Sequence, residues 1–265
     1  MTAAARQFKD LHMSGTFVMP NPFDVGSARL LTALGFSALA TTSAGFAATL
    51  GRLDMNITRD ELIEHVQQLT AATPLPMNVD SERCYADDPA GVAVTVGLLA
   101  QAGAAGCSIE DWNPATDSID PIQIATERVA AAAAAADQAG IVLTARCENH
   151  LHGVSDLDET IARLQAYSRA GAHVVYAPGL VDLGQIGRVV QQAGAPVNVL
   201  LLPGGPTVAQ LAELGVRRVS LGSGLSTAAY GAVVAAARSV LTSGAMPMDG
   251  PRVERSLAAT AFVTG

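Results

Sequence analysis

The chain has 265 residues, of which 49% are hydrophobic, 4% aromatic and 15% charged, and its formal net charge is −8. This length suits one large domain that can bury a substantial core. The acidic balance, without any Lys/Arg-rich block, argues against nonspecific binding to nucleic acid. We find neither an uninterrupted apolar stretch of membrane length nor a secretory signal near the N-terminus. We therefore expect a cytoplasmic protein that does not bind a membrane.

The three cysteines are Cys84, Cys107 and Cys147, and no two of them form a CxxC pair. An odd number without that spacing does not indicate a disulfide framework or a zinc site. Free cysteines pack in protein interiors more often than they react. We therefore expect three reduced thiols.

One pattern recurs along the chain: a helix-like segment ends in Gly, and a short apolar run follows, as at Leu34-Gly35 and Ala170-Gly171. Glycine is expected just after a helix because it adopts the left-handed conformation without a Cβ penalty. Near-continuous apolar runs are typical of parallel strands covered by helices on both faces. Eight strands are predicted, over residues 16–19, 36–40, 75–79, 106–109, 141–145, 173–176, 196–201 and 216–221.

Helices are predicted between these strands, with Thr58 and Glu61 as a capping box and Pro89 and Pro121 as first-turn residues. Strict alternation of helices with eight strands predicts an α/β fold, a (β/α)₈ TIM barrel in which residues 1–265 form one domain. The alternative, an open doubly wound sheet, would favour a GxGxxG motif after the first strand, and none is present. The predicted helices span residues 25–34, 59–73, 89–102, 121–139, 156–170, 183–192, 207–214 and 227–243, with a final one at 252–262.

Acidic side chains follow two neighbouring strands, where a barrel of this type places its catalytic groups. Asp80 and Glu82 follow the third strand, and in an extended chain residues two apart point to the same side. Glu110 follows the fourth strand. Three carboxylates in one barrel mouth repel unless protons or a cation intervene, and Mg²⁺ prefers such oxygen ligands. The alternative is that these acids solvate loops or cap the following helices.

Arg146 follows the apolar fifth strand, and a buried charge at that position needs a partner. It could pair with Glu148 or Glu110, or it could hold a substrate carboxylate, for which guanidinium geometry is well suited. After the second strand, residues 42–45 form a segment rich in hydroxyl and amide groups. Such a turn could hold an anionic oxygen.

Eight segments at these strand ends and loops carry a resemblance to a known family. They are NPFDVGSAR at 21–29, TSAG at 42–45, LGRLD at 50–54, DSE at 80–82, SIED at 108–111, TAR at 144–146, PVNV at 196–199 and RVSLG at 218–222. Together, over nearly the whole chain, they resemble the isocitrate lyase/phosphoenolpyruvate mutase superfamily. The resemblance implies a (β/α)₈ barrel whose last helix is exchanged between the subunits of a homodimer or homotetramer.

The resemblance also implies a cofactor, Mg²⁺ or Mn²⁺, bound partly through water by acids that match Asp80, Glu82 and Glu110. Asp54 matches a further acid near that metal. The reactions implied make or break C–C or P–C bonds next to a 2-oxo acid, through an enolate-like oxyanion.

The same resemblance implies which residues bind the substrate. Thr42, Ser43 and Ala44 match the segment that holds a substrate carboxylate. Arg146 matches a substrate-binding arginine, and Asn198 matches a polar residue at the carboxylate end. The partner expected at this site is a small-molecule carboxylate.

The chain departs from the family at three places. Its loop at 110–118 lacks the Cys, Lys and His of the isocitrate and methylisocitrate lyases, and the Lys of the phosphonopyruvate enzymes. Pro178 stands where the lyases carry Glu. Arg83 and Cys84 stand where glycine is common, so that Arg83 could fill or recharge the pocket. Cys84 could donate a proton with its pKa lowered by Arg83, or it could be a packed thiol.

We therefore expect a divalent-metal-dependent carbon–carbon lyase that acts on a small 2-oxo or 2-hydroxy dicarboxylate. Its candidate catalytic residues are Arg146, Glu148 and Cys84. Alternatives at the same site are hydrolysis or decarboxylation of an oxaloacetate-like substrate, and P–C bond chemistry. An alternative of another class is a barrel that binds a carboxylate without catalysis, suggested by the altered segment at Arg83 and the short loop at 110–118.

Overall fold

A computed structural model describes residues 1–247 and 249–262. Eight of its strands are parallel and follow one another in the order β1-β10-β9-β8-β7-β4-β3-β2. The backbone N–H of Ala40 donates to the carbonyl of Pro20 at 3.0 Å, so the two outer strands also meet. The predicted (β/α)₈ barrel is confirmed. The strands are β1 Phe17–Met19, β2 Leu39–Ala40, β3 Met77–Val79, β4 Gly106–Glu110, β5 Trp112–Asn113, β6 Ser118–Ile119, β7 Val142–Arg146, β8 Val174–Tyr176, β9 Val197–Leu200 and β10 Arg218–Ser220.

The nine predicted helices are present, and their ends lie within three residues of the predicted ones. The capping box at Thr58 and Glu61 is also confirmed, since each side chain accepts a hydrogen bond from the other residue's backbone N–H. Helices α1 and α3 and the antiparallel hairpin of β5 and β6 were not predicted. The helices are α1 Ala3–Leu11, α2 Val25–Ala33, α3 Ser43–Thr49, α4 Arg59–Ala72, α5 Pro89–Gln101, α6 Ile122–Ala139, α7 Leu157–Arg169, α8 Leu183–Gln192, α9 Val208–Glu213, α10 Gly224–Ser243 and α11 Arg255–Ala261.

Helix α1 closes the amino-terminal end of the barrel with Phe8 and His12, both of which are buried. The ring of Phe8 fits against Gly106, where an added Cβ would lie 2.7 Å from a ring carbon. The Nδ1 atom of His12 lies 2.7 Å from the carbonyl oxygen of Phe8. The barrel interior is therefore sealed at this end and can open only at the carboxyl ends of its strands.

Helix α10 differs from the other barrel helices because most of its surface is exposed, including Val233 and Leu241. In the part of the chain that the structure describes, it is the single helix long and apolar enough to cross a membrane, judged by length and composition alone. One such helix is weak support for a membrane segment. Exchange of the last helix between subunits would cover this apolar surface, and it remains a prediction.

Candidate active site

A cavity of about 180 Å³ opens at the carboxyl ends of the strands and runs into the barrel. Side chains two residues apart on one strand line it at two depths, because alternate residues of a strand face the same side. On β7, for example, both Thr144 and Arg146 line the cavity. The polar residues that line it are Asn21, Thr41, Thr42, Ser43, Asp54, Asn78, Asp80, Ser108, Thr144, Arg146, Tyr176, Asn198, Arg218, Ser220 and Ser223.

Arg146 is the centre of the outer part of this cavity. Its Nη1 atom lies 2.7 Å from Asp80 Oδ1 and 3.2 Å from Glu110 Oε2, and its Nε donates to Glu148 Oε1 at 2.9 Å. Burial by itself lowers the pKa of a guanidinium, but Glu148, Glu110 and Asp80 outweigh it and raise the pKa of Arg146 well above its ordinary value. The arginine is therefore charged and compensated, and it pairs with both Glu110 and Glu148, the partners considered as one alternative from the sequence.

Glu148 is almost fully buried, and its backbone N–H donates to Asp111 at 2.8 Å. It does not line the cavity. Its carboxylate instead fixes the orientation of Arg146 from behind. Glu148 was predicted to be catalytic, but its position is that of a residue that acts by orienting Arg146.

The backbone at Glu82 differs from the extended conformation that the sequence predicted. Strand β3 ends at Val79, and Glu82 has a left-handed φ of 48°, so the two-residue alternation of an extended strand does not apply to it. Burial, followed by the charges of Asp80 and Asp54, raises the pKa of Glu82 to about 8. The nearby Tyr85 hydroxyl opposes that shift in pKa, but the buried Oε1 atom of Glu82 has no partner at hydrogen-bond distance among the described residues. Glu82 therefore lies where an added cation would be stabilised.

The Arg83 side chain points away from the cavity, so the prediction that it fills or recharges the pocket is wrong. Its Nη2 donates to the buried Asp120 at 2.7 Å, and its Nη1 contacts Asp87. Arg128, itself buried, donates from Nη1 to the carbonyls of Ala86 and Asp87, each at 2.7 Å. This network holds the loop after β3 in a conformation with several positive φ angles, and the arginine is structural.

The prediction of an activated Cys84 is also wrong. Its thiol is fully buried outside the cavity lining, 3.7 Å from Ser81 Oγ and 3.9 Å from the carbonyl of Ser108. Burial raises the pKa of Cys84 to about 11 and outweighs the opposing effect of Arg83. Cys84 is therefore a packed thiol, which was the second of the two interpretations drawn from the sequence.

The segment predicted as a hydroxyl-rich turn begins helix α3. Thr42 is the N-cap, and its side chain accepts from the backbone N–H of Gly45. The backbone N–H of Ser43 donates to Asp80 Oδ2 at 3.1 Å, which connects this segment to the acidic group around Arg146. Thr42, Ser43, Ala44 and Asp54 all line the cavity, as the sequence interpretation requires.

Asn198 lies in the deeper part of the cavity, where the protein itself uses both ends of its amide. Its Nδ2 donates to Ser220 Oγ at 2.9 Å, and its Oδ1 accepts from Arg218 Nε at 2.9 Å. Arg218 also donates from Nη2 to Thr144 Oγ1 at 2.9 Å. The sequence interpretation missed Arg218 because it begins the eighth barrel strand, away from the strand ends. The signal available was a charged residue within a predicted barrel strand.

The divalent metal that the family resemblance implies prefers oxygen ligands. All the candidate ligands are oxygens, and the orphaned Glu82 Oε1 leaves a buried acceptor for a cation or its water. In the described residues, no three His, Cys, Asp or Glu side chains are gathered to hold an ion directly. Of the three predicted ligands, Asp80 lines the cavity, whereas Glu82 and Glu110 are not among the residues that line it. The residues thus fit an ion that keeps several waters, and binding by all three acids stays a prediction.

Comparison with known proteins assigns the family. A family model described as phosphoenolpyruvate phosphomutase matches residues 8–241. The chain belongs to the phosphoenolpyruvate mutase/isocitrate lyase superfamily. It is 33% identical to an oxaloacetate decarboxylase of Paraburkholderia xenovorans, with 76% of this chain and 69% of that protein covered.

Two crystal structures are also similar to this chain. A Burkholderia cenocepacia protein provisionally named a lyase/mutase is 46% identical, with a TM-score of 0.91 over 96% of this chain and 94% of that one. A 2,3-dimethylmalate lyase is 25% identical, with a TM-score of 0.87 over 99% of this chain and 96% of that one. Relatives of this chain therefore include enzymes of the lyase and decarboxylase classes.

Proposed function

We propose that this protein is a divalent-metal-dependent carbon–carbon lyase that acts on a small 2-oxo or 2-hydroxy dicarboxylate through an enolate-like intermediate. The observation that carries the proposal is the group of carboxylates around Arg146, which lies beside the Ser43 amide at the mouth of a narrow cavity. The cavity volume of about 180 Å³ is below that of sites for drug-sized ligands and suits a small acid.

Within this proposal, Arg146 stabilises the negative charge that develops on the substrate oxygen when the C–C bond breaks, because its guanidinium is already oriented by Glu148. The carboxylate of the 2-oxo acid lies near Thr42, Ser43 and Ala44. A bound Mg²⁺ or Mn²⁺ would supply Lewis-acid stabilisation of the same oxyanion. Asp80, Glu82 and Glu110 are the residues that would hold that ion.

Two other reactions use the same residues. The decarboxylase relative supports decarboxylation of an oxaloacetate-like substrate, which also passes through an enolate-like oxyanion. Hydrolysis of such a substrate is the related alternative. The matching family model supports P–C bond chemistry, but the loop at 110–118 lacks the Lys expected for it. The alternative from another class is a barrel that binds a carboxylate without converting it.

The test is a panel of oxaloacetate, alkylmalates and phosphonopyruvate, assayed for products with Mg²⁺, with Mn²⁺ and after EDTA treatment. We expect turnover of a 2-hydroxy dicarboxylate that EDTA abolishes and added metal restores. Asp80→Ala should lower kcat/KM by about 100-fold or more, because Asp80 both orients Arg146 and faces the metal region.

Asp87→Asn is the matched control, since Asp87 lies on the same loop but is exposed and outside the cavity lining. Equal turnover with and without EDTA would contradict the metal requirement. If oxaloacetate is the one substrate of the panel that is converted, release of CO₂ would favour the decarboxylase reaction and release of oxalate the hydrolase reaction. No product from any substrate would favour the non-catalytic barrel.

We also propose that the protein is a homodimer or homotetramer in which α10 packs against a neighbouring subunit. The support is the exposed apolar surface of this helix, which includes Val233, Val234 and Leu241. Sedimentation equilibrium of the wild type against Leu241→Glu tests it. A wild-type monomer at micromolar concentration would contradict it.

A further inference from the structure

The innermost charged residue of the cavity is Arg218, whose side chain is 2% exposed. Its three nitrogens contact Asn198 Oδ1 at 2.9 Å, Thr144 Oγ1 at 2.9 Å and His12 Nε2 at 3.5 Å. A guanidinium has five N–H donors, so these contacts leave one N–H on each terminal nitrogen without a partner among the described residues.

The charge of Arg218 also has no counterion in the described part of the chain. Each of its three neighbours is neutral. His12 is kept neutral because burial, and then the charge of Arg218, lowers its pKa to about 3. The phenol of Tyr176, the one group that favours the arginine's charge, has its own pKa raised by burial. A buried unpaired charge is unfavourable, and a bound anion would remove that penalty.

Arg218 belongs to the same cavity as Arg146, because both line it. The hydroxyl that Arg218 contacts is on Thr144, two residues before Arg146 on β7 and on the same side of the strand. The cavity that both arginines line has a volume of about 180 Å³, which suits a single small ligand. Two guanidinium groups in one cavity of that size match a small ligand that carries two carboxylates.

We propose that Arg218, held by Asn198 and Thr144, is a second carboxylate-binding subsite at the base of the cavity and selects dicarboxylates over monocarboxylates. The carboxylate bound there is the one remote from the reacting carbon. This inference rests on the proposed function for its place in a reaction, because it specifies which substrates that site accepts. Binding at Arg218 itself requires no turnover.

The test compares succinate with butyrate, which has the same carbon chain with one carboxylate replaced by a methyl group. Their affinities are measured by isothermal titration calorimetry in EDTA and chloride-free buffer. We expect the wild type to bind succinate at least about tenfold more tightly than butyrate. Arg218→Gln should weaken succinate binding by about 10- to 100-fold and abolish the difference between the two acids.

Arg217→Gln is the control, because Arg217 is the neighbouring residue on the chain and does not line the cavity. It should keep the wild-type preference for succinate. If Arg218→Gln folds and also keeps that preference, Arg218 is only structural and the inference is wrong.

If Arg218→Gln does not fold, a crystal structure of the wild type with succinate decides. A succinate carboxylate within hydrogen-bond distance of Arg218 supports the inference, whereas succinate bound only at Arg146 overturns it. The outcome for the proposed function is separate. If the protein turns over no substrate but binds succinate through Arg218, the proposed function is wrong and this inference stands. If the protein turns over dicarboxylates and Arg218→Gln still prefers succinate to butyrate, this inference is wrong and the proposed function stands.

Discussion

The two arginines of the cavity, Arg146 at its mouth and Arg218 at its base, have opposite surroundings. Arg146 contacts three carboxylates, and Arg218 contacts an amide, a hydroxyl and an imidazole. At the mouth, negative charge exceeds positive charge, so a cation or protons must balance it. At the base, a positive charge is uncompensated by any described residue. One small cavity therefore has excess negative charge at its mouth and excess positive charge at its base.

The largest difference between the two ends is expected in stability. Arg146→Met leaves the buried Glu110 and Glu148 and the partly buried Asp80 without their cation, and we expect it to lower the unfolding free energy by about 3–5 kcal/mol at pH 8. Arg218→Met removes a charge without a counterion and leaves neutral acceptors, so we expect a loss of about 1–3 kcal/mol. Urea unfolding in EDTA measures both, with Arg217→Met as the control. A larger loss for Arg218→Met than for Arg146→Met would contradict the comparison.

A smaller effect is expected at Glu82 and depends on pH. Folded Glu82, with its pKa of about 8, keeps a proton that the unfolded chain releases near pH 4.5. The folded state thus binds more protons, and the unfolding free energy falls as pH rises from about 4.5 to 8. We expect Glu82→Gln to be more stable than the wild type at pH 8 by about 1–3 kcal/mol, and no more stable at pH 4.

Denaturant unfolding in EDTA at several pH values checks this behaviour. The exposed Glu64→Gln is the control, because its side chain lies on the outer face of α4. Added Mg²⁺ should narrow the difference at pH 8, since a ligand that binds the folded state stabilises it. A stability difference that does not change with pH would show that Glu82 is ionised in the folded protein.

The smallest effect is expected for Cys84, which lies outside both ends of the cavity. Cys84→Ala should leave kcat/KM within about twofold of the wild type and lower stability by about 1 kcal/mol, a typical value for a point substitution. In the native protein the thiol should resist labelling with a disulfide reagent, because it is buried and protonated. Rapid labelling of Cys84 before unfolding, or a large loss of activity in Cys84→Ala, would restore it as a catalytic candidate.

Much of the fold follows from local sequence patterns. Apolar runs predicted the eight barrel strands, and glycines after helices such as Gly140, with φ of 70°, marked the boundaries. Helix α3 was missed because its first residues are small and hydroxylated, and they form a helix through the cap at Thr42. Helix α1 was missed because its role depends on Phe8 packing against Gly106, about a hundred residues away.

The candidate site was predictable where a side chain lies at a strand end. Asp80, Glu110 and Arg146 converge because parallel strands end at the same rim, and their separations of 2.7 and 3.2 Å confirm that convergence. The direction of Arg83 was not predictable in this way. It follows a turn with positive φ at Glu82, and a turn reorients every side chain after it.

The barrel and the acids at its rim were thus predictable from the sequence, because strand alternation and helix capping depend on neighbouring residues. Which buried charges have a counterion depends instead on contacts that form when the chain folds. Arg83 is matched by Asp120, 37 positions away, whereas Arg218 contacts Thr144, 74 positions away, and has no carboxylate among the described residues. Charge balance in a protein interior depends on distances between groups far apart in the chain, and folding alone brings them together.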